Sequence, residues 1–221
     1  MLNLIVQLER SLINKDTPLV SINLTYNIFL FLLAQTISII FHPMVFSFFV
    51  FIVIIFDNII IHPGAIKILI TCFLCSNFLP IVTLFLLQKK GLISDLDASI
   101  KEERIIPLLL GIGYAALGFL LLHIQEANML IKGLMFCTIT NTIVILLITR
   151  YWKISIHAMG ISGLLSVLWI HGIEYALIMF IILFLVAFSR VILKAHTVAQ
   201  VTIGSILGLT LTFIQIHLLF L

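Results

Sequence analysis

Along most of this chain the apolar positions run on without alternating or recurring on a single face. Apolar segments occupy 20–41, 44–61, 65–88, 105–124, 128–149, 158–171, 174–189 and 197–221. A helix that crosses bilayer hydrocarbon needs about 20 apolar residues. Apolar residues on every side mark a helix that meets only lipid or other helices. The breaks are short turn signals: His42-Pro43, His62-Pro63-Gly64, Lys89-Lys90-Gly91, Gln125-Glu126 and His171-Gly172 with Glu174. Three stretches are distinctly polar: Ser94–Arg104, Arg150–His157 and Ser189–Gln200. The pattern predicts an all-α, polytopic transmembrane helical bundle of about six to eight spans. Segments 158–171 and 174–189 are short for full crossings, which tilt or shielding by neighbouring helices accommodates. No repeat or linker divides the chain, so 1–221 reads as a single integral membrane domain.

Composition sharpens this. Of 221 residues 62% are apolar and 10% charged, with a mean hydropathy of +1.31. A soluble domain carries about 25% charged residues. That excludes a cytosolic enzyme, a disordered chain and a secreted disulfide scaffold. Twelve Lys and Arg, net +3, are too few and too scattered for nucleic acid. Cys72, Cys75 and Cys137 lie inside apolar runs, where neither redox nor zinc chemistry has the polar surroundings it needs; they read as packing residues. The first twenty residues, broken by Gln7, Glu9 and Arg10, lack the basic start of a secretory signal and read as an amphipathic helix on the membrane surface.

Parity then places the polar stretches. Two spans separate Ser94–Arg104 from Arg150–His157, and two more separate that from Ser189–Gln200, so all three gather on one membrane face. That side carries Lys89, Lys90, Lys101, Arg104, Arg150, Lys153, Arg190 and Lys194, against Arg10, Lys15, Lys67 and Lys132 on the other. Eight basic residues against four favour the cytoplasm. If Lys101, Arg104 and Arg190 are set aside as ligand-binding groups, five against four orients nothing. The expected location is a cell membrane, multi-pass, of the bacterial inner-membrane kind. Basic residues gathered at one face suit an anionic, membrane-embedded ligand.

The third stretch reads Ser189-Arg190-Val-Ile-Leu-Lys-Ala-His196-Thr-Val-Ala-Gln200. It resembles the third signature of the type 2 phosphatidic acid phosphatase superfamily, S-R-x(5)-H-x(3)-D, with Gln200 in place of the aspartate. Ser155-Ile156-His157-Ala158 is similar to the family's P-S-G-H through its serine and histidine. Lys101-Glu-Glu-Arg104-Ile-Ile-Pro107 matches K-x(6)-R-P in content, with a shorter spacing. The resemblance covers 95–210, a phosphatase-like core that follows N-terminal spans in 1–94. It implies metal-free, cofactor-free hydrolysis of a phosphate monoester or pyrophosphate on a lipid. In that scheme His196 attacks phosphorus and carries a phosphohistidine, and His157 protonates the leaving oxygen. Arg190, Lys101 and Arg104 hold the phosphoryl oxygens, with Ser155 helping, and Gln200 orients His196. The partners implied are a membrane lipid phosphate and the bilayer.

Elementary chemistry suits these residue types. Phosphoryl transfer depends on positioning and on cations around the equatorial oxygens. The guanidinium fork binds two phosphate oxygens at once. A tight turn between Arg190 and His196 brings both to one phosphate, at a helix start whose dipole favours an anion. Gln200 accepts a hydrogen bond but supplies no negative charge; a comparable carboxylate-to-amide change in serine proteases costs about 10⁴ in rate. One of Asp95, Asp97, Glu102 or Glu103 is therefore expected to partner His196 or His157. The second reading is a catalytically impaired relative that binds or transports a phosphorylated lipid, or serves as an assembly subunit. The third is an intramembrane prenyltransferase holding Mg²⁺ near Asp95 and Asp97, which lacks the second aspartate-rich motif such chemistry needs. A transporter lacks the inverted repeats. Asp57, inside an apolar segment, reads as a structural carboxylate with Asn58 as its partner.

Overall fold

A computed structural model describes residues 18–57 and 63–221, with side chains from Tyr26 onward. The expected N-terminal surface helix lies almost wholly outside the described residues. Among the described residues every regular element is helical: α1 Pro18–Ile40, α2 Pro43–Phe56, α3 Ala65–Phe73, α4 Leu79–Lys89, α5 Ile105–Ile124, α6 Met129–Thr149, α7 Ile156–Ile170, α8 Ala176–Ile192 and α9 Val198–Leu219. A π-helical turn, Leu74–Phe78, joins α3 to α4, and a 3₁₀ turn, Lys101–Arg104, leads into α5.

The breaks follow local chemistry. Pro43 starts α2 where its missing N–H costs nothing, and His42 Nδ1 accepts the Met44 N–H at 3.3 Å to cap it. Pro80 lies just past the π turn; a proline ring strains the helix before it, and the wide turn absorbs the misfit. Within that turn Asn77 donates to the Met44 carbonyl and to Ser47 Oγ, fastening α3–α4 to α2. Asp57 forms the C-cap of α2 and is exposed; its partner is His171, at 3.1 Å, while Asn58 lies outside the described residues.

Among the described residues four helical rods are long and apolar enough to cross a membrane: Ala65–Lys89, Lys101–Ile124, Met129–Thr149 and Val198–Leu219. The pair Tyr26–Ile40 and Pro43–Phe56, bent by 42°, makes a fifth if taken as one span. The sequence expectation of six to eight also counted α7 and α8, which have only 15 and 17 residues. Shortness has a clear setting in α7. Eleven of its 15 residues are buried by protein, so its sides meet other helices rather than lipid. The outer helices instead expose large apolar side chains, such as the stacked Phe180, Phe184 and Phe188 on α8, as lipid contact requires.

The α7–α9 seam sets the position of the polar residues at its end. Gly204 and Gly208 lie one turn apart on α9 and let the two backbones touch. A Cβ at Gly204 would stand 2.9 Å from the Ser155 carbonyl oxygen; one at Gly208 would overlap the Met159 carbonyl oxygen. Small residues at this spacing are the usual means of close helix approach in membranes. Cys72, Cys75 and Cys137 are buried and unbridged, as packing residues should be.

Candidate functional site

Four segments from distant parts of the chain meet at one end of the bundle: the α1–α2 corner, the loop 94–104, the start of α7 and the α8–α9 turn. Each is fixed by its own short-range bonds. In the loop, Asp95 accepts the Ser99 N–H and Glu103 accepts from both the amide and the hydroxyl of Ser94. Ala98, at φ +43, turns the chain so that its carbonyl accepts from Arg104 Nε at 2.8 Å. At the α8–α9 turn Lys194 takes φ +53, and the amides of Ala195 and His196 both donate to the Arg190 carbonyl, at 3.1 and 3.2 Å. The reversal sets His196 directly beside Arg190. Thr197 then caps α9 in a reciprocal capping box with Gln200.

Arg104, His157, Arg190 and His196 line a single cavity of about 260 Å³, together with His42 and Asp97. All four are at most 7% exposed. The cavity continues away from them along apolar side chains including Leu108, Leu134, Ile145 and Leu164. Its lining thus combines basic and imidazole groups with apolar side chains, as a site for an amphipathic ligand would.

The hydrogen bonds assign roles. Arg190 Nη1 donates to Ser38 Oγ at 2.8 Å and Nη2 to Asp97 Oδ2 at 2.9 Å, which leaves Nε buried without a partner. Arg104 spends Nε on Ala98 and Nη1 on the Ile154 carbonyl. His157 Nε2 is also buried and unpartnered. Orphaned buried polar groups are costly and rare, and two on one cavity point to a ligand that satisfies them.

Gln200 fixes the His196 tautomer. Its Oε1 already accepts the Thr197 N–H at 3.1 Å and lies 3.0 Å from His196 Nδ1. An oxygen can only accept, so Nδ1 carries the proton and Nε2 keeps its lone pair. Burial pushes the His196 pKa down to about 3; the Gln200 bond opposes the shift, and Arg104, Lys153 and Arg190 reinforce it. The ring is therefore neutral at ordinary pH, the form a nucleophile needs. Lys153 is also pushed below its ordinary value, by burial and then by Arg104 and Arg190.

Three of the residues singled out from sequence stand elsewhere. Lys101 is paired with Glu102 at 3.7 Å and does not line the cavity. Ser155 is fully buried, accepts the Ala158 N–H as the cap of α7 and also lies off the cavity wall. Its motif position suggests a phosphate contact, and in the structure its oxygen caps the helix start. Gln200 reaches the site only through His196. Of the four carboxylates, Asp97 alone lines the cavity; Asp95 and Glu103 hold the loop, and Glu102 faces Lys101. Asp95 and Asp97 thus turn to different partners rather than converging on one cation.

His42 and Ser38 were not identified from sequence. The one available signal was a titratable residue at a helix break in an otherwise apolar region. The rings of His42 and His157 meet edge to face with centroids 4.6 Å apart. A nitrogen of each ring and an Asp97 oxygen lie within 4.8 Å of one another. Two imidazoles and a carboxylate are a possible transition-metal set. Against this, His42 Nδ1 accepts the Met44 N–H, so a neutral ring carries its proton on Nε2 and is a donor there rather than a ligand.

No protein-family model, curated protein or solved structure matches this chain.

Proposed function

We propose that this chain is a membrane phosphatase that hydrolyses a phosphate monoester or pyrophosphate on a lipid, phosphatidate-like or polyprenyl-phosphate-like, through a phosphohistidine and without a metal. The observation that carries the reading is the pair of buried, unpartnered nitrogens, Arg190 Nε and His157 Nε2, on the cavity that Arg104 and His196 also line. A phosphoryl group there gains donors that otherwise have none. In the first step the Nε2 lone pair of His196 attacks phosphorus, the phosphorus–oxygen bond to the lipid breaks, and the leaving oxygen takes a proton from His157. In the second, water attacks the phosphohistidine, His157 takes a proton from that water, and phosphate departs as the phosphorus–nitrogen bond breaks. Arg190 and Arg104 offset the charge on the equatorial oxygens. In this reading α7, α8 and the bent pair count as crossings, the total is seven or eight, within the expected six to eight, and the polar segments share one face of a bacterial inner membrane.

A second reading is supported by Gln200. His196 is oriented by an amide and not by a carboxylate, which suits a relative that binds or carries a phosphorylated lipid without cleaving it. Phosphate release from a panel of lipid phosphates and pyrophosphates, read by malachite green with and without EDTA, separates the two. The hydrolase reading expects release that survives EDTA and disappears in His196→Ala. Purified protein that binds these lipids and releases nothing overturns it.

A further inference from the structure

The α1–α2 corner lies outside the 95–210 region that resembles the phosphatases, yet it supplies two side chains to the site. Ser38 holds Arg190. His42 lines the cavity with its ring against His157. The corner is also held by close packing, because Pro43 packs against Gly160 of α7, where a Cβ would come within 2.8 Å of the Pro43 Cβ. α1 and α2 are thus seated on the helix that carries His157.

We propose that His42 is a positioning residue of the hydrolase, whose Nε2–H, the free donor of its ring, fixes the Asp97 carboxylate against which the His157 imidazole is oriented for proton transfer. The inference rests on the hydrolase reading. Three facts carry it. The Met44 amide occupies His42 Nδ1 and so places the His42 proton on Nε2. His157 Nε2 has no partner of its own. Asp97, joined to Arg190 through Oδ2 only, stands within 4.8 Å of both rings and completes a carboxylate–imidazole–imidazole cluster. A bridging water or a small ring rotation closes gaps of this size. His157 gives its proton to the leaving oxygen in the first step and regains one from water in the second. His42 keeps its own proton throughout, and its work is to keep the His157 ring aligned.

The test is His42→Asn. Asparagine is a strong N-cap, so its side-chain oxygen replaces Nδ1 at the Met44 amide and α2 still starts normally, while the Nε2–H is gone. Second-order rate constants, kcat/KM, are measured in detergent for dioleoyl phosphatidate, whose alkoxide leaving group needs a proton, and for 4-nitrophenyl phosphate, whose leaving group does not. Positioned general acids contribute about 10²–10⁴-fold. Partial loss of one predicts a fall of about 10- to 100-fold for phosphatidate and less than about threefold for 4-nitrophenyl phosphate. Equal losses on both substrates, or no loss on either, overturn the role of His42 while leaving the hydrolase intact. Wild-type protein inert toward both, and toward the whole panel of lipid phosphates and pyrophosphates, overturns the hydrolase reading and this inference with it. One equivalent of Zn²⁺ bound by wild type, lost in His42→Asn and needed for activity, overturns it in favour of a metal centre.

Discussion

Replacing Gly208 by alanine perturbs the seam on which the site depends. The added Cβ would overlap the Met159 carbonyl oxygen and stand 2.8 Å from its carbonyl carbon, where ordinary Cβ contacts begin near 3.4 Å. The obstacle is helical backbone, which has no rotamer to move, so α7 and α9 have to part by roughly 1 Å or more. Overpacking of this kind costs about 1–3 kcal/mol, sometimes more, and for a chain of this size each kcal/mol moves the melting temperature by about 2–4 °C. The expected loss is therefore about 5–10 °C. The same displacement moves His157, on α7, away from His196, at the start of α9, and a misplacement near 1 Å costs about 10²-fold in rate. Cys72, Cys75 and Cys137 are buried and free, so a thiol-reactive fluorogenic maleimide reports unfolding in detergent without added labels. Gly113 is the control. A Cβ there meets nothing within 4 Å, and helical alanine is favoured over glycine, so Gly113→Ala leaves the melting temperature unchanged or raises it. A Gly208→Ala protein melting within about 1 °C of wild type would refute the close-packed seam.

Two further outcomes follow from the site. Because the folded-state pKa of His196 is about 3 against an ordinary 6.5, the unfolded chain binds a proton between those values that the folded chain does not. Stability from this group is full above about pH 6.5 and declines as pH falls toward 3, with about 2 kcal/mol lost by pH 5; His196→Gln should flatten the fall in melting temperature between pH 7 and 5, and an unchanged slope would contradict the burial. Among amide substitutions at Asp95, Asp97, Glu102 and Glu103, Asp97→Asn alone should lower turnover of a lipid phosphate, by about tenfold or more, because only Asp97 lines the cavity and pairs with Arg190; equal turnover in all four variants would remove Asp97 from the mechanism.

The helices were legible because bilayer-length apolar runs and Pro or Gly breaks are local signals. The expected break at His42-Pro43 falls between α1 and α2, and the expected 105–124 and 128–149 spans match α5 and α6 to within a residue. The Arg190–His196 turn was legible for the same reason, since its hydrogen bonds span only a few residues. Ser38 was not, because its bond to Arg190 joins positions 152 residues apart and nothing in the segment around it is unusual. Asp57 read as intramembrane because the apolar run continues past it, whereas the helix ends at Phe56 and its carboxylate reaches His171. The π turn at Leu74–Phe78 left only Pro80 as a trace, and a proline marks strain without saying how the chain relieves it.

Where the negative charge sits departs from the pattern of the family that the chain resembles. The resemblance places a carboxylate one turn into α9, against the nucleophile. Gln200 occupies that position and supplies orientation without charge, through an oxygen shared by His196 and the Thr197 amide. The carboxylate on the cavity is Asp97, from a loop a hundred residues earlier, and it lies with His42 and His157 and not on His196. A nucleophile held neutral needs an acceptor to fix its tautomer, which an amide provides. A general acid that must carry a proton has more use for nearby negative charge. In the proposed hydrolase the arrangement would thus divide between two residues what one aspartate does, and would give the α1–α2 corner a reason to be packed against α7. On this division Gln200→Asp should add charge where the buried His196 is neutral. It should raise the His196 pKa and move the acid limb of any phosphatase activity to higher pH, whereas Asp97→Asn should depress the rate without moving that limb. Were the two substitutions to act alike on the acid limb, the division of roles would be wrong.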